Sequence, residues 1–107
     1  MSLDISLTAI RPTEVYEANI THNLNKMAEA AGIYKVIWRP EECGVKKAGD
    51  IISALEKGLD ILKSNREIMK GFAPENGWGS YGEFVVFVER YLNACKENPD
   101  AEISVWR

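Results

Sequence analysis

The chain has 107 residues, of which 46% are hydrophobic and 27% are charged, and its formal net charge is −3. This composition is typical of one globular domain, residues 1–107, and excludes an intrinsically disordered chain. The mild acidic balance and the scattered basic residues provide no broad electrostatic attraction to nucleic acid or to an anionic membrane.

The first predicted element is a strand, because apolar and polar residues alternate from Leu3 to Ile10. Arg11-Pro12 ends it, since proline cannot donate to a β-ladder. Residues 13–20 fit no element clearly. Thr21 is a candidate N-cap for an amphipathic helix over residues 21–31, which Gly32 ends.

The middle of the chain is predicted to be helical, with one ambiguous segment. Residues 33–38 are apolar and fit either a strand or a helix, and Pro40 ends either one. Apolar residues then recur at helical spacing up to Leu62, and Gly58 in this helix suits close packing. Ser64 and Glu67 have the spacing of a capping box and predict a new short helix.

The chain ends with a strong helix and a second strand. Ser80 and Glu83 form another capping-box pair, followed by an apolar helical face from Phe84 to Cys95. Residues 101–106 alternate again and predict a strand. We therefore expect an α+β fold, mostly helical with about four helices, in which the N- and C-terminal strands pair in a small antiparallel sheet.

Two further features bear on the cellular compartment. Cys43 and Cys95 lie in unlike contexts, so two free thiols in a cytoplasmic protein are the simplest interpretation. The N-terminus lacks a secretory pattern, and no apolar run approaches the roughly 18 residues of a membrane span. We expect a cytoplasmic protein with no membrane partner.

His22 is the only histidine, and it follows the candidate N-cap Thr21. The positive end of a helix dipole favours a neutral imidazole, which can accept a proton or bind a metal. A histidine that caps the helix through local hydrogen bonds is the structural alternative and is favoured. No ligand set is recognisable beside His22, so no metal and no cofactor are predicted.

Three polar clusters are candidate ligand-binding segments. Asn19 and Asn23 flank His22 with neutral amides, which would share a face if the helix began earlier. Arg39 offers a planar fork of donors, although a surface salt bridge to Glu41 or Glu42 is an equal alternative. In Asn76-Gly77-Trp78-Gly79 the two glycines allow a tight loop, from which the indole of Trp78 could form a wall of a binding pocket. The alternative is that Trp78 fills the gap between the last helix and its neighbours.

These segments carry a resemblance. Asn-Ile-Thr-His-Asn at 19–23, Trp-Arg-Pro at 38–40 and Asn-Gly-Trp-Gly at 76–79 resemble, in order and spacing, a family of small bacterial and bacteriophage-associated proteins. The resemblance spans nearly the whole chain and implies no activity, because that family has no assigned function. What the resemblance adds is that the three clusters are also the family-like segments. Our hypothesis is that, if the clusters meet in space, they line one pocket with Asn19, His22, Asn23, Arg39, Asn76 and Trp78.

The sequence leaves three functions open. A non-catalytic module that binds a small ligand or a protein through these clusters is preferred, because enzymes usually show more convergent titratable groups than one histidine. The alternatives are a small enzyme or enzyme subunit with His22 as general base, and a structural homo-oligomer.

Overall fold

The computed structural model describes residues 2–9, 14–74 and 79–107. Within these ranges the elements are, in chain order, β1 Ser2–Thr8, β2 Glu14–Thr21, α1 Asn25–Ala30, α2 Tyr34–Trp38, α3 Ile52–Ser64, α4 Arg66–Lys70, α5 Tyr81–Glu97 and β3 Glu102–Trp106. Short 3-10 turns cover His22–Leu24, Pro40–Cys43 and Ala48–Ile51. The described part thus contains five α-helices and one three-stranded antiparallel sheet, which confirms the predicted α+β class.

The sheet has the strand order β2-β1-β3, so the N-terminal strand is central. The terminal strands β1 and β3 pair antiparallel, as predicted, with Ile5 opposite Val105. The strand β2, in the segment that the sequence left unassigned, pairs antiparallel with the other side of β1 and places Ala18 opposite Ile5. The alternation along β1 buries Leu3, Ile5 and Leu7 on the inner face.

Helix α5 supplies much of the core. The hydroxyl of Ser80 accepts a hydrogen bond from the Glu83 amide at 3.1 Å, which confirms the predicted cap. The whole predicted apolar face is buried, and its members are Phe84, Phe87, Val88, Tyr91, Leu92 and Cys95. Both cysteines carry free thiols. Burial raises the pKa of the Cys95 thiol to about 12, so Cys95 is an inert core residue, whereas Cys43 is exposed.

The segment that fitted either a strand or a helix forms the short helix α2. Gly32 precedes it with φ of +77°, which allows the sharp turn out of α1. One side of the segment, which carries Ile33, Ile37 and Trp38, is buried, so tertiary packing rather than β-propensity decides its conformation. Pro40 then begins a 3-10 turn, which ends at Gly44 in the left-handed region.

Helix α3 packs closely on the rest of the domain at Gly58. A Cβ at this position would lie 2.3 Å from Ile33 Cγ2, so only glycine fits there. The short helix predicted after Ser64 is present as α4, but Ser64 is not its cap: α3 continues through Ser64, and Asn65 is the N-cap residue of α4 without a side-chain capping bond. The reason is that the Asn65 side chain donates back to the Ile61 carbonyl at 3.0 Å and closes α3 instead.

Candidate functional site

His22 and Trp38 meet directly at the end of β2. Thr21 ends this strand, and its hydroxyl accepts from the Asn23 amide at 3.3 Å, so Thr21 caps the 3-10 segment that His22 begins. The helix predicted over residues 21–31 is shorter than expected: α1 begins only at Asn25, and its own N-cap residue, Leu24, makes no side-chain capping bond. Trp38 lies at the end of α2 and is 1% exposed. Its indole Nε1 donates a hydrogen bond to Nδ1 of the half-buried His22 at 2.8 Å. The structure therefore joins two of the predicted clusters.

This hydrogen bond defines the tautomer of His22. An indole N–H can only donate, so His22 Nδ1 must supply a lone pair and carry no proton. In a neutral imidazole the single proton is then on Nε2. His22 Nε2 forms no hydrogen bond with any of the residues that the structure describes. Toward a ligand, the ring consequently presents a hydrogen-bond donor.

Aromatic rings support the indole of Trp38 from within the core. The ring of Tyr34, one turn earlier in α2, stacks on it with centroids 5.5 Å apart and an interplanar angle of 16°. Phe84 of α5 lies on it at 6.4 Å and 37°. Because the indole is packed on several sides, its N–H has a fixed direction and holds the imidazole of His22 in one orientation.

Arg39 belongs to the same network through Tyr34. Its Nε donates to the Tyr34 hydroxyl at 3.4 Å, and its Nη1 lies 3.4 Å from Glu42 Oε2. The hydrogen bond to the Tyr34 hydroxyl is the main reason that the pKa of Arg39 is raised above its usual value. The side chain of Arg39 remains 42% exposed. The predicted salt bridge to Glu42 is present, and it leaves Arg39 partly open to solvent. Arg39 is next to Trp38 in the chain and is connected to His22 through Tyr34 and Trp38.

Arg107 is a member of this cluster that the sequence reasoning missed. Its Nη1 donates to the backbone carbonyl of Trp38 at 2.9 Å and to the carboxylate of Glu41. The pKa of Glu41 is lowered, first by a hydrogen bond from its own backbone amide and then by Arg107. No local pattern marks Arg107, because it lies 69 residues away from Trp38 in the sequence.

The two predicted asparagines do not share a helix face. Asn19 lies in β2, and its Nδ2 donates to Ser2 Oγ at 2.8 Å and to Asp4 Oδ1 at 2.6 Å. Both amide protons of Asn19 are therefore used in hydrogen bonds to β1 on the outer face of the sheet. Asn23 lies beside His22, is exposed, and donates from Nδ2 to Thr21 Oγ1 at 3.2 Å. Of the two, only Asn23 adjoins the histidine cluster.

Asn76 and Trp78 lie outside the described residues, so their place in the pocket stays a prediction. The chain is described again from Gly79, whose φ is +111°. A Cβ on Gly79 would lie 2.8 Å from Thr21 Cγ2 and 3.0 Å from Leu24 Cγ. The residue that follows Trp78 is therefore packed against the segment that contains His22.

A second concave feature was not predicted from the sequence. A groove of about 770 Å³ runs between β2 and α5, and among its lining residues are Tyr16, Ala18, Ile20, Glu83, Val86 and Arg90. Of the predicted site residues that the structure describes, only Asn19 borders it. The missed signal is the exposed apolar residue Val86, which lies outside the buried face of α5 and is 46% exposed.

Other kinds of site find little support in the described ranges. No group of three or more histidine, cysteine, aspartate or glutamate side chains is arranged there to hold a metal ion. None of the helices in those ranges has the length and apolar character needed to cross a membrane. Comparison of the chain with protein-family models, with curated proteins and with solved structures gave no match.

Proposed function

We propose that this chain is a non-catalytic binding module, and that His22, Asn23 and Arg39 form the centre of its recognition surface. The observation that carries the proposal is the 2.8 Å hydrogen bond from Trp38 Nε1 to His22 Nδ1. It makes the only histidine a fixed hydrogen-bond donor. Asn19, Asn76 and Trp78 stay in the proposal as outer candidates.

The same hydrogen bond argues against the general-base alternative. A general base needs a free lone pair within reach of the substrate proton. The one lone pair of the neutral His22 ring is at Nδ1, where the buried indole of Trp38 already occupies it. A ligand that approaches Nε2 meets a proton instead, so it can be bound there but not deprotonated.

The chemistry of the exposed groups selects the ligand class. His22 Nε2–H and the guanidinium of Arg39 are donors, and Asn23 has a second Nδ2–H to donate besides the one bonded to Thr21, as well as an oxygen that can accept. A planar guanidinium suits carboxylate and phosphate oxygens best. We therefore propose a ligand that presents an anionic or carbonyl oxygen, which is either a small polar molecule or the carboxylate or carbonyl groups of a protein segment.

The direct test is a two-dimensional NMR titration with acetate and, separately, with inorganic phosphate. We expect either probe to shift the signals of the His22 imidazole, the Asn23 side-chain amide and Arg39 Nε together. Single donor groups bind such probes weakly, so dissociation constants on the order of 1 mM are expected. His22→Ala should weaken the response at Asn23 and Arg39 at least about fivefold.

The matched control is Asn93→Ala. Asn93 is exposed on α5, twelve residues beyond its start, which is about 18 Å along the helix. This variant should bind the probes as the wild type does. Probe-induced shifts that are absent at all three residues, or that are unchanged by His22→Ala in a folded protein, would contradict the proposed surface.

A further inference from the structure

The two outer edges of the sheet differ in whether another segment of the described chain pairs with them. The edge of β3 is covered at its start by residues 46 and 47. The Ile103 amide donates to the Lys46 carbonyl at 3.0 Å, and the backbone of Lys47 forms an isolated antiparallel β-bridge with Glu102. Within the described ranges, no strand pairs with the outer edge of β2. An open edge presents a row of unpaired backbone donors and acceptors and is a template for another strand.

The open edge adjoins apolar surface that is only partly covered, since Tyr16 and Ala18 are half-buried and Ile20 is buried. The inner face of β2 carries Tyr16, Ala18 and Ile20, which line the groove of about 770 Å³ opposite α5. On the helix side, Val86 is 46% exposed and lines the same groove. A strand added to this edge would gain backbone hydrogen bonds and bury apolar side chains in one step.

The strand and the helix run antiparallel across the groove. Thr21 lies against Gly79 at one end, and Tyr16 stacks on Tyr91 at the other with centroids 6.3 Å apart. Three residues of strand, from Thr21 back to Ala18, span about 10 Å, which corresponds to about seven residues of helix. Ala18 at the middle of β2 therefore lies beside Val86 at the middle of the groove.

We propose that a second copy of this chain occupies the groove. The strand β2 pairs antiparallel with β2 of the second copy about a two-fold axis that passes Ala18 and Val86, so that the two sheets join into one of six strands. A two-fold axis is the commonest symmetry of soluble oligomers and demands a surface complementary to itself.

The charges along α5 have this self-complementarity. Glu83 lies three residues before Val86, and Arg90 lies four residues after it. Both are exposed and both line the groove. A two-fold axis at Val86 brings Glu83 of each copy to Arg90 of the other, so two opposite-charge pairs form at once. This symmetric pattern favours a second copy over an unrelated protein.

The residues of β2 agree with the same axis. When Ala18 of one copy lies opposite Ala18 of the other, Tyr16 of each copy faces Ile20 of the other on the inner face of the joined sheet. On the outer face, Glu17 of each copy faces Asn19 of the other. A register centred on Glu17 would put two carboxylates directly opposite each other, which is destabilising. The smallest side chain of the strand centre thus lies on the axis, and no like charges meet.

The test is sedimentation velocity of the whole chain over a range of concentrations, with a charge-swap pair of variants. We expect the wild type to dimerise. Glu83→Arg alone and Arg90→Glu alone should each weaken the dimer at least about tenfold, because each brings like charges together twice. An equimolar mixture of the two variants should recover the dimer, since both pairs are then of opposite charge.

A second variant tests the apolar centre. Val86→Lys should weaken the dimer at least about tenfold, whereas Ile68→Lys, at an equally apolar and 65% exposed position of α4, should leave it unchanged. Far-ultraviolet circular dichroism confirms that each variant is folded. A wild type that stays monomeric at millimolar concentration overturns the proposal. So does a dimer that Val86→Lys leaves intact, or a variant mixture that fails to associate.

Discussion

Trp38→Ala is expected to lower the free energy of unfolding by about 4 kcal/mol, as is typical when a buried tryptophan is truncated to alanine. Trp38 is 1% exposed, and its ring contacts Tyr34 and Phe84. Since a domain of this size is stable by about 5–15 kcal/mol, the loss is a large fraction of the total. Urea unfolding followed by circular dichroism measures it.

Trp38→Phe separates the packing of the indole from its hydrogen bond. Phenylalanine keeps most of the aromatic contact with Tyr34 but cannot donate to His22 Nδ1. We expect a loss of about 1–2 kcal/mol, the usual cost of an unmade hydrogen bond at a partly buried acceptor. If Trp38→Phe costs as much as Trp38→Ala, or costs nothing, the assigned role of this hydrogen bond is wrong.

Gly58→Ala is expected to destabilise the domain by about 2 kcal/mol, although alanine is the better helix former. The new Cβ would lie 2.3 Å from Ile33 Cγ2, and overpacking of this kind costs about 3 kcal/mol, which exceeds the helix-propensity gain of about 1 kcal/mol. Thermal and urea unfolding at low protein concentration would measure the change.

Gly82→Ala is the matched control, because Gly82 also lies in a helix but a Cβ there meets nothing within 4 Å. Because Gly82 is the second residue of α5 and not in its interior, this variant should leave the stability unchanged or raise it by up to about 0.5 kcal/mol. In an Ile33→Ala background, which removes the clashing methyl group, Gly58→Ala should cost much less than in the wild type. A Gly58→Ala effect that is independent of Ile33 would contradict the assigned contact.

The sequence predicted those parts of the fold whose signals are local. The apolar face of α5 and the hydroxyl cap at Ser80 can be recognised from residues within one or two helical turns of each other. The alternation of apolar and polar residues that predicts β1 is contained within seven residues. The pairing of the terminal strands followed because each edge needs a partner. These predictions were confirmed.

The failures of the fold prediction come from tertiary interactions that override local patterns. At the start of β2, Val15 and Tyr16 are both large and apolar, so the alternation of this edge strand is blurred. The segment before Pro40 is helical because Ile37 and Trp38 are buried together, which no propensity scale records. Ser64 has the capping-box spacing and was therefore predicted to cap α4. That pattern carries no information on the hydrogen bond from the Asn65 side chain to the Ile61 carbonyl, which closes α3 one residue later.

In the candidate site, too, the individual residues could be predicted from the sequence, whereas the contacts between them could not. Residue type singled out His22 and Arg39, but their connection runs through Trp38 and Tyr34, and the hydrogen bond from Trp38 to His22 spans 16 residues. Arg107 closes the cluster from the far end of the chain. Such contacts depend on how the helices dock, so a single sequence marks the candidates without showing which of them meet.

The most direct test of the central claim, that His22 is held as a hydrogen-bond donor, is a long-range proton–nitrogen correlation spectrum of its imidazole. The measurement is made at about pH 8, where an ordinary imidazole is neutral. The structure predicts a proton on Nε2, an unprotonated Nδ1, and loss of this single tautomer in Trp38→Phe. A proton on Nδ1 in the wild type would contradict the claim and restore His22 as a candidate base.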